Sequence, residues 1–402
     1  MKNYLSTNHR PRCALLIGSL LIAVMLAACG GGGGGGGGSN SGSSTSTSFT
    51  SGAISGFGSV IINGIRFDDS SAAVSDDDDN SQNKDDLKLG MMADIEGSSV
   101  STDASGARHG QASKIRFGSE IVGPVSRVGA TDLVVLGQTV NVTATTLFDD
   151  TLTNKLASVQ VNDVLEVYGL PDASGQFTAT RIEGKTTPLS YKLRGVISNL
   201  NTTAKTFTIG SETISYLGLS ANDLPSNFGD GVRVRVKLKT AQENGAWVAT
   251  KIRSGVRSPG KHDEAELKGL ITEFTSKNSF SVNGIAVDAT HAAFPKGDDL
   301  KVGMRVEVEG SAVDGVIIAK KVKIENDDDV RAEGFELHGL ISDLNLVTKT
   351  FTLRGVAVNY GNATFKGSTE GSLIDGIRIE VKGIPSADRT SLDAIKISIE
   401  LS

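Results

Sequence analysis

Histidine is the side chain that most often serves catalysis and metal binding near neutral pH, and the chain of 402 residues has five of them. They are His9, His109, His262, His291 and His338. No two of these histidines have the spacing of metal ligands, and no motif marks a catalytic set of serine, histidine and aspartate. We therefore predict no catalytic residue, no metal site and no cofactor. The histidines are expected at the surface or at boundaries between structural units.

A second candidate for chemistry is the segment 255–262, which reads GVRSPGKH and differs by one residue from a phosphate-binding loop. His262 stands where serine or threonine would hold magnesium. Such a loop also needs a following helix to aim its amide groups at phosphate, whereas here the acidic Asp263 and Glu264 open the next β unit. The sequence therefore predicts a linker at this place.

Charge is distributed unevenly along the chain. Residues 190–257 hold ten Lys or Arg against four acids, a net charge of +6, whereas residues 51–118 hold six against eleven, a net charge of −5. Alternate residues of one basic strand place four cations on one outward face, namely Arg233, Arg235, Lys237 and Lys239. This face is a candidate binding site for an anionic envelope ligand such as a glycan, lipopolysaccharide or an acidic protein. Alternatively, this face packs on an acidic neighbouring repeat or faces solvent. A face that binds oligonucleotides is expected to carry stacking aromatic residues, but the equivalent Phe207 follows the core pattern.

The acidic counterpart is the run Asp76-Asp77-Asp78-Asp79 in an enlarged loop. Its carboxylate oxygens could collect calcium, but the glycine and the terminal glutamate of an EF-hand loop are missing. We expect a solvated loop here, with a calcium site as the alternative.

The first 28 residues carry Lys2, Arg10 and Arg12 and no acidic residue, and they end in an apolar run over 14–28. This layout is typical of a secretory signal peptide. The run is shorter than the roughly 20 residues that span a bilayer, so a retained membrane anchor is the weaker alternative.

The run ends in Leu26-Ala27-Ala28-Cys29, which resembles the lipobox of bacterial lipoproteins. The resemblance implies cleavage before Cys29 and acylation of its sulfur, so that membrane lipid is the first partner. Ordinary cleavage after alanine beside an incidental cysteine is the alternative. Gly30 follows where an aspartate would signal inner-membrane retention, and this implies the outer membrane, facing the periplasm or the cell surface.

Nine consecutive glycines over 30–38 and a Ser/Thr-rich stretch follow, and they predict a flexible tether over 29–50. Loss of the leader discards Cys13 and acylation consumes Cys29, which leaves no thiol for disulfides, catalysis or zinc. The net charge of −6 becomes −9 without the three basic leader residues. An acidic exported protein is not expected to bind nucleic acid.

Beyond the tether, a unit of about 70 residues recurs five times. Its opening strand begins at Gly52, Gly123, Gly195, Gly269 and Gly339. Each copy continues with a Gly-x-x-Val-x-Val-x-Gly type strand and closes on an Ala-x-x-Ile type strand. Alternation of apolar and polar residues with a period of two predicts β-strands, and no helical period is sustained. Hairpin turns of type I′ are predicted at Asn63-Gly64 and Asn283-Gly284.

Five short strands in one unit bury too little apolar surface as an open sheet with bare edges. Closure into a five-stranded barrel like the OB fold removes the edges. The predicted fold class is therefore all-β, a tandem array of five small OB-like five-stranded β-barrel repeats after a disordered Gly/Ser tether, with an SH3-like or sandwich arrangement as the alternative. We number the repeats 1 to 5 and predict them at residues 51–118, 119–187, 188–258, 265–326 and 334–402, after a signal peptide at 1–28.

Over residues 52–401 this set of motifs resembles the bacterial domain-of-unknown-function family 5666. The resemblance implies small OB-like barrels in exported proteins, often lipoproteins, and it transfers no active-site residue. Asn162 replaces the glycine that opens the later strand of repeat 2, which puts the local turn in question. The leading hypothesis is a non-catalytic, lipid-anchored structural or interaction scaffold of the cell envelope. A binding module acting through the basic face of repeat 3 is the alternative, an enzyme is the third option, and the oligomeric state stays open.

Overall fold

The computed structural model describes residues 46–295, 299–326, 329, 333–387 and 391–400. The predicted signal peptide, the predicted lipidation residue Cys29 and most of the predicted tether lie outside these residues. All of the described residues belong to one compact unit. Within the described ranges, no helix is both long and apolar enough to cross a membrane.

The strands are numbered β1 to β29 in chain order. Repeat 1 contains β1 (Thr47–Phe57), β2 (Val60–Ile62), β3 (Ile65–Asp68), β4 (Ala73–Asp76), β5 (Met92–Ser98), β6 (Ser101–Thr102) and β7 (Arg108–Phe117). Repeat 2 contains β8 (Ile121–Val128), β9 (Asp132–Val135), β10 (Gln138–Phe148), β11 (Val164–Pro171) and β12 (Phe177–Lys185). Repeat 3 contains β13 (Tyr191–Val196), β14 (Ser198–Asn201), β15 (Thr206–Ile209), β16 (Glu212–Ser215), β17 (Arg233–Glu243) and β18 (Ala246–Ser254).

The last two repeats follow the same plan. Repeat 4 contains β19 (His262–Ser276), β20 (Ser279–Val282), β21 (Ile285–Asp288), β22 (Arg305–Val313) and β23 (Val316–Glu325). Repeat 5 contains β24 (Phe335–Asn345), β25 (Thr350–Leu353), β26 (Val356–Asn359), β27 (Thr364–Lys366), β28 (Arg378–Pro385) and β29 (Leu392–Ile399). Short 3-10 helices lie at Lys84–Asp86, Lys155–Ser158, Ala221–Asp223 and Glu370–Ser372.

Each repeat closes into a small barrel, and repeat 2 shows the order most simply. Strand β8 pairs antiparallel with β9 and β11, and β9 pairs antiparallel with β10. Strand β10 pairs parallel with β12, which returns antiparallel to β11 and closes the ring. The other four repeats repeat this pattern, including the parallel third and fifth strands of the barrel. The predicted tandem array of OB-like barrels is therefore confirmed.

Period-two alternation places the apolar residues inside the barrels as predicted. Phe67, Phe177, Phe207 and Phe351 are fully buried, each in a different barrel. The core-patterned position assigned to Phe207 is thus confirmed, and closing the barrels removes these rings from water.

The turns also follow the sequence. Asn63 and Gly64 have φ values of 54° and 74°, and Asn283 and Gly284 have 51° and 82°, as type I′ turns require. Asn162 adopts a φ of 75°, close to the 81° of Gly90 in repeat 1. Asparagine tolerates this left-handed region better than other side-chain-bearing residues, so the replacement preserves the turn.

The repeats are joined in an order that differs from their order in the chain. Strand β1 pairs parallel with β19 of repeat 4 through Ser48–Ser51, and with β24 of repeat 5 through Gly56 and Phe57. Strand β8 of repeat 2 pairs with β13 of repeat 3. Repeat 1 therefore bridges the two last repeats.

This pairing corrects the predicted end of the tether. Strand β1 begins at Thr47, four residues before the predicted start of repeat 1 at 51. Phe49 is buried there, and Thr47–Ala53 pair with β5 of the same barrel. These backbone groups are satisfied by two neighbouring strands, so the segment is ordered despite its Ser/Thr-rich composition.

Candidate functional site

The acidic loop of repeat 1 lies against the basic strand of repeat 3. Asp76 ends β4, and its carboxylate accepts hydrogen bonds from the backbone N–H groups of Asp78 and Asn80 at 2.8 and 2.9 Å. This local capping turns the chain tightly and projects Asp77 and Asp78 away from their own barrel.

Both projecting carboxylates bind cations of repeat 3. Asp77 Oδ2 lies 2.8 Å from Arg194 Nη2 and 2.9 Å from Arg235 Nη1. Asp78 Oδ1 lies 2.9 Å from Arg235 Nη2, and Asp78 also pairs with Lys237. The side chains of Asp77 and Asp78 are each only 6% exposed, so the expectation of a solvated loop is wrong for these two residues. We call this contact the acidic-loop clasp.

Electrostatics at the clasp favour the ionised carboxylate. Burial alone would raise the pKa of Asp77, but the neighbouring cations Lys192, Arg194 and Arg235 outweigh burial and hold that pKa well below its usual range. Asp78 shows the same balance, with its pKa lowered by hydrogen bonds from Lys237 and Lys251 against the effect of burial.

The four cations predicted as a ligand face have three different environments. Arg235 and Lys237 bind the aspartates of repeat 1, as the packing alternative supposes. Lys239 is 51% exposed and pairs with Glu243 on its own strand at 2.7 Å. Arg233 turns toward the junction with repeat 4, where its side chain lies over Gly284. An external anion at the centre of this face would have to compete with Asp77.

Sequence reasoning gave packing of the basic face on an acidic neighbouring repeat as an alternative, but it did not identify the acidic run as the partner. The signal that could have joined them is the opposite net charge of repeats 1 and 3. Charge complementarity of this kind indicates attraction between surfaces but does not state which outward faces meet.

A second ionic cluster joins repeats 1 and 5 around His338. Its Nε2 lies 2.7 Å from Glu336 Oε1, and its Nδ1 is hydrogen-bonded to Glu400. Two carboxylates can both accept from one ring only when both nitrogens carry hydrogen, which is the imidazolium form. Burial opposes this charge, but the hydrogen bonds to Glu336 and Glu400 outweigh it and raise the pKa of His338.

The same cluster contains the geometry of a metal site. Ligand atoms of Glu336, His338 and Glu380 lie within 4.8 Å of one another. Arg66 of repeat 1 binds Glu336 and approaches Glu380 at 3.6 Å, and Lys382 Nζ lies 2.8 Å from Glu336. Despite burial, hydrogen bonds from His338 and Lys382 lower the pKa of Glu336 to about 2. The carboxylates are already neutralised by protein cations, so the arrangement acts as an ion-pair seam.

The remaining sequence candidates have simpler environments. The half-exposed His109 lies 3.0 Å from Asp103, and His262 packs against Phe49 with ring centroids 5.9 Å apart. Strand β19 begins at His262, the last residue of the phosphate-loop-like segment. A strand in this place supports the interpretation of the segment as a linker.

A cavity of about 350 Å³ lies between repeats 1, 2, 4 and 5. Its apolar walls include Ile54, Leu170 and Phe335, and its charged groups include Lys268 and Asp393. A mixed lining of this size can accommodate a small organic molecule. No motif in the sequence marked these residues, because they come from four repeats.

Comparison with known proteins agrees with the repeat architecture. Residues 122–183, 194–253, 268–323 and 338–398 match the family model described as "Domain of unknown function (DUF5666)", which covers more than half of the chain. These segments correspond to repeats 2 to 5, and the first barrel has the same strand order outside them.

Among solved structures, a chain titled "drosophila Unr CSD456" is similar, with 15% sequence identity, 42% of this chain and 78% of that chain covered, and a TM-score of 0.15. A TM-score this low supports no conclusion. No curated protein matches the sequence. Four tandem segments match this one family model, and the barrels that they form have the same topology. The chain therefore belongs to the DUF5666 family.

Proposed function

We propose that this protein is a non-catalytic interaction scaffold of the cell envelope, held to the outer membrane by acyl chains on Cys29 and by a Gly/Ser tether. Several acyl chains together anchor a protein essentially permanently, whereas one chain binds marginally. The observation that carries the proposal is the strand pairing between barrels, in which β1 joins repeat 1 to repeats 4 and 5 and β8 joins repeat 2 to repeat 3.

Apolar packing between barrels supports a fixed arrangement. One continuous cluster of buried residues runs through repeats 2 and 3, and another runs through repeats 1 and 5. Tyr168 of repeat 2 contributes to the second cluster, and Met92, Leu170 and Leu270 join repeats 1, 2 and 4. A scaffold needs its surfaces at constant separation, and shared cores provide that.

Repeat 5 presents an exposed apolar turn that supports the interaction role. Val347 is 92% exposed and Leu346 is also exposed. The equivalent turn of repeat 3 has the same hydrogen bond, since the side-chain Oδ1 atoms of Asn201 and Asn345 each accept from the backbone N–H two residues further on, at 3.1 and 3.0 Å. That turn carries Thr203 in place of Val347. The fold therefore does not require an apolar tip, and we assign the tip to contact with an envelope protein.

The anchor is tested by replacing Cys29 with alanine. We expect the variant to keep its far-ultraviolet circular dichroism and to move from the membrane fraction to the soluble fraction, because acylation needs the sulfur. Retention of folded variant in the membrane fraction would overturn the lipid anchor.

The interaction role is tested in intact cells by placing a photo-crosslinking amino acid at Val347, with the same substitution at Thr203 as the matched control. We expect a discrete protein adduct from position 347 and none from position 203. Identical patterns at both positions would refute an interaction through this turn.

The second candidate function is a module that binds an anionic envelope ligand beside the clasp. It is favoured by Lys237 and Lys239, whose side chains are 33% and 51% exposed at the rim of repeat 3. Replacing Lys237 and Lys239 with serine should abolish a salt-sensitive interaction with lipopolysaccharide, while Lys114→Ser in repeat 1 should not. Unchanged binding in the double variant would eliminate this candidate.

A further inference from the structure

The cavity of about 350 Å³ between repeats 1, 2, 4 and 5 has the size of a ligand site. It is more than ten times the roughly 30 Å³ that one water molecule occupies in the liquid. Small-molecule sites in proteins measure about 300–1,000 Å³. The cavity lies at the lower end of that range, so its occupant is a compact molecule rather than an oligosaccharide or a lipid with full acyl chains.

The ionisable groups of the cavity wall compensate one another. The wall contains two cations, Lys268 and Arg305, and two carboxylates, Glu333 and Asp393. Lys268 Nζ lies 2.7 Å from Glu333 Oε1, and Asp393 Oδ1 accepts from Asn359 Nδ2 at 3.1 Å. A charged ligand would add a charge that this wall does not balance, which is costly away from water. The wall therefore selects an uncharged ligand.

Apolar side chains form another part of the wall. Ile54 of repeat 1 and Leu170 of repeat 2 are buried, and Phe335 of repeat 5 is half-buried. Ile384 and Pro385 of repeat 5 extend this surface. An apolar molecule placed here gains dispersion contacts and is removed from water. The body of the ligand is therefore apolar.

The hydroxyl group of Thr180 in the wall is unsatisfied within the described part of the chain. Its Oγ1 is buried and makes no hydrogen bond there. By contrast, Ser55 and Asn63 in the same wall donate to backbone oxygens. A buried hydroxyl without a partner costs free energy, and a ligand with a hydrogen-bonding group would recover part of that cost.

Ala53 leaves space in the cavity that a larger residue would fill. In each barrel the equivalent residue pairs with the start of the later strand, and these residues are Pro124, Val196, Leu270 and Leu340. All four are larger than alanine, and the same barrel forms around each of them. The barrel therefore does not require a small residue at this position.

We propose that this cavity binds one compact, uncharged organic molecule with an apolar body and one hydrogen-bonding group. The body lies against Ile54, Leu170 and Phe335, and the polar group bonds to Thr180 Oγ1. Because the walls come from four repeats, such a molecule binds only the folded assembly and stabilises it. The site is independent of the lipid anchor and of the scaffold role.

The first test compares two fluorescent probes on the full mature chain carrying Cys29→Ala, so that no detergent micelle takes up the probes. N-phenyl-1-naphthylamine is uncharged and has one N–H group, whereas 8-anilinonaphthalene-1-sulfonate has the same rings and a negative charge. We expect saturable one-to-one binding of the neutral probe and at least about tenfold weaker binding of the sulfonate, because the wall does not compensate its charge. No saturable binding of the neutral probe, or equal affinity for both probes, would overturn the proposal.

Two leucine variants locate the bound probe. Ala53→Leu fills part of the cavity and should weaken binding of N-phenyl-1-naphthylamine by at least about tenfold. Val196→Leu enlarges the equivalent residue of repeat 3, which is not part of the cavity wall, and should leave the affinity unchanged. Circular dichroism establishes that both variants are folded. Wild-type affinity in folded Ala53→Leu would place the probe at another apolar surface and refute the site.

Replacing Thr180 with valine tests the hydrogen bond without filling the cavity. Valine has nearly the shape of threonine but lacks the hydroxyl, so Thr180→Val should raise the Tm of the free protein. The same variant should bind N-phenyl-1-naphthylamine roughly three- to tenfold more weakly, because one net hydrogen bond is lost. A merely structural role of Thr180 would change the Tm alone, so unchanged affinity would refute its assignment as the polar partner of the ligand.

Discussion

Replacing Asp77 with asparagine should strongly destabilise the contact between repeats 1 and 3. Asparagine keeps the shape of the side chain but removes the charge that faces Lys192, Arg194 and Arg235 at 3.4, 2.8 and 2.9 Å. The cations stay buried, with the side chain of Arg194 only 4% exposed, and they lose a counter-charge that solvent cannot replace.

The magnitude follows from burial. Removing one partner of a buried ion pair costs about 3–5 kcal/mol, because the remaining charge is left uncompensated. Asp79 in the same loop provides the matched control, since its side chain is 75% exposed and it pairs with Arg116 at 3.0 Å. An exposed pair of this kind contributes about 0–1 kcal/mol, so Asp79→Asn should be nearly neutral.

Urea unfolding, monitored by tryptophan fluorescence, measures this difference in the free energy of unfolding at repeat 3, which forms one side of the clasp. Trp247 is the only tryptophan of the chain and lies buried in β18 of repeat 3, where its Nε1 donates to Glu212 at 2.7 Å.

The pKa of Asp77 is lowered in the folded protein. Its contribution is therefore present above the unfolded pKa near 4 and is lost only as pH falls through the lower folded value.

The reasoning would be refuted by an Asp77→Asn midpoint within error of the wild-type midpoint between pH 5 and 8. It would also fail if Asp79→Asn cost as much as Asp77→Asn, because then burial of the carboxylate would not decide the energy. A destabilisation of Asp77→Asn that vanished at pH 8 would contradict the sign of the shift.

Two further predictions concern the other ionic clusters. The raised pKa of His338 means that its stabilisation is fully present below the unfolded pKa near 6.5 and is lost as pH rises through the folded value. His338→Gln should therefore cost about 1–2 kcal/mol at pH 6 and much less at pH 9, measured by urea unfolding with circular dichroism, and a cost independent of pH would contradict this. Burial raises the pKa of Glu266 to about 7 against the opposing effect of Arg108, so the wild-type protein loses stability between pH 4.5 and 7. The stability of Glu266→Gln relative to wild type should rise by up to about 3 kcal/mol from pH 5 to 8; no rise, or an equal rise in the exposed control Glu243→Gln, would refute the assignment.

The local sequence pattern was sufficient to predict the inward-facing residues and a hairpin turn of the barrel unit. Period-two alternation identified the inward residues, among them Phe207 and Phe351, and both are buried. Asparagine followed by glycine specified the hairpin turn at Asn63. These features depend on neighbours within a few residues, where steric limits on φ and the alternation of side chains leave few choices.

The end of the tether depended on longer-range contacts. Residues 47–50 read TSFT and look like a continuation of the Ser/Thr-rich stretch. They form a strand because β5 and β19 offer hydrogen-bonding edges on both sides. Strand β19 begins more than 200 residues later in the chain, and no local pattern reports such a partner.

By itself, the sequence determined the number of repeats, their all-β class, the inward face of each strand and the charges of repeats 1 and 3. Only the tertiary structure decided which outward faces meet, and so placed Asp77 on Arg235 and left Arg233 without an ion pair in the described part of the chain. The physical reason is that alternation separates inside from outside within one barrel, whereas the pairing of outward faces depends on how five barrels are placed in space. That placement is set by the sum of strand pairing, apolar contact and charge over residues far apart in the sequence.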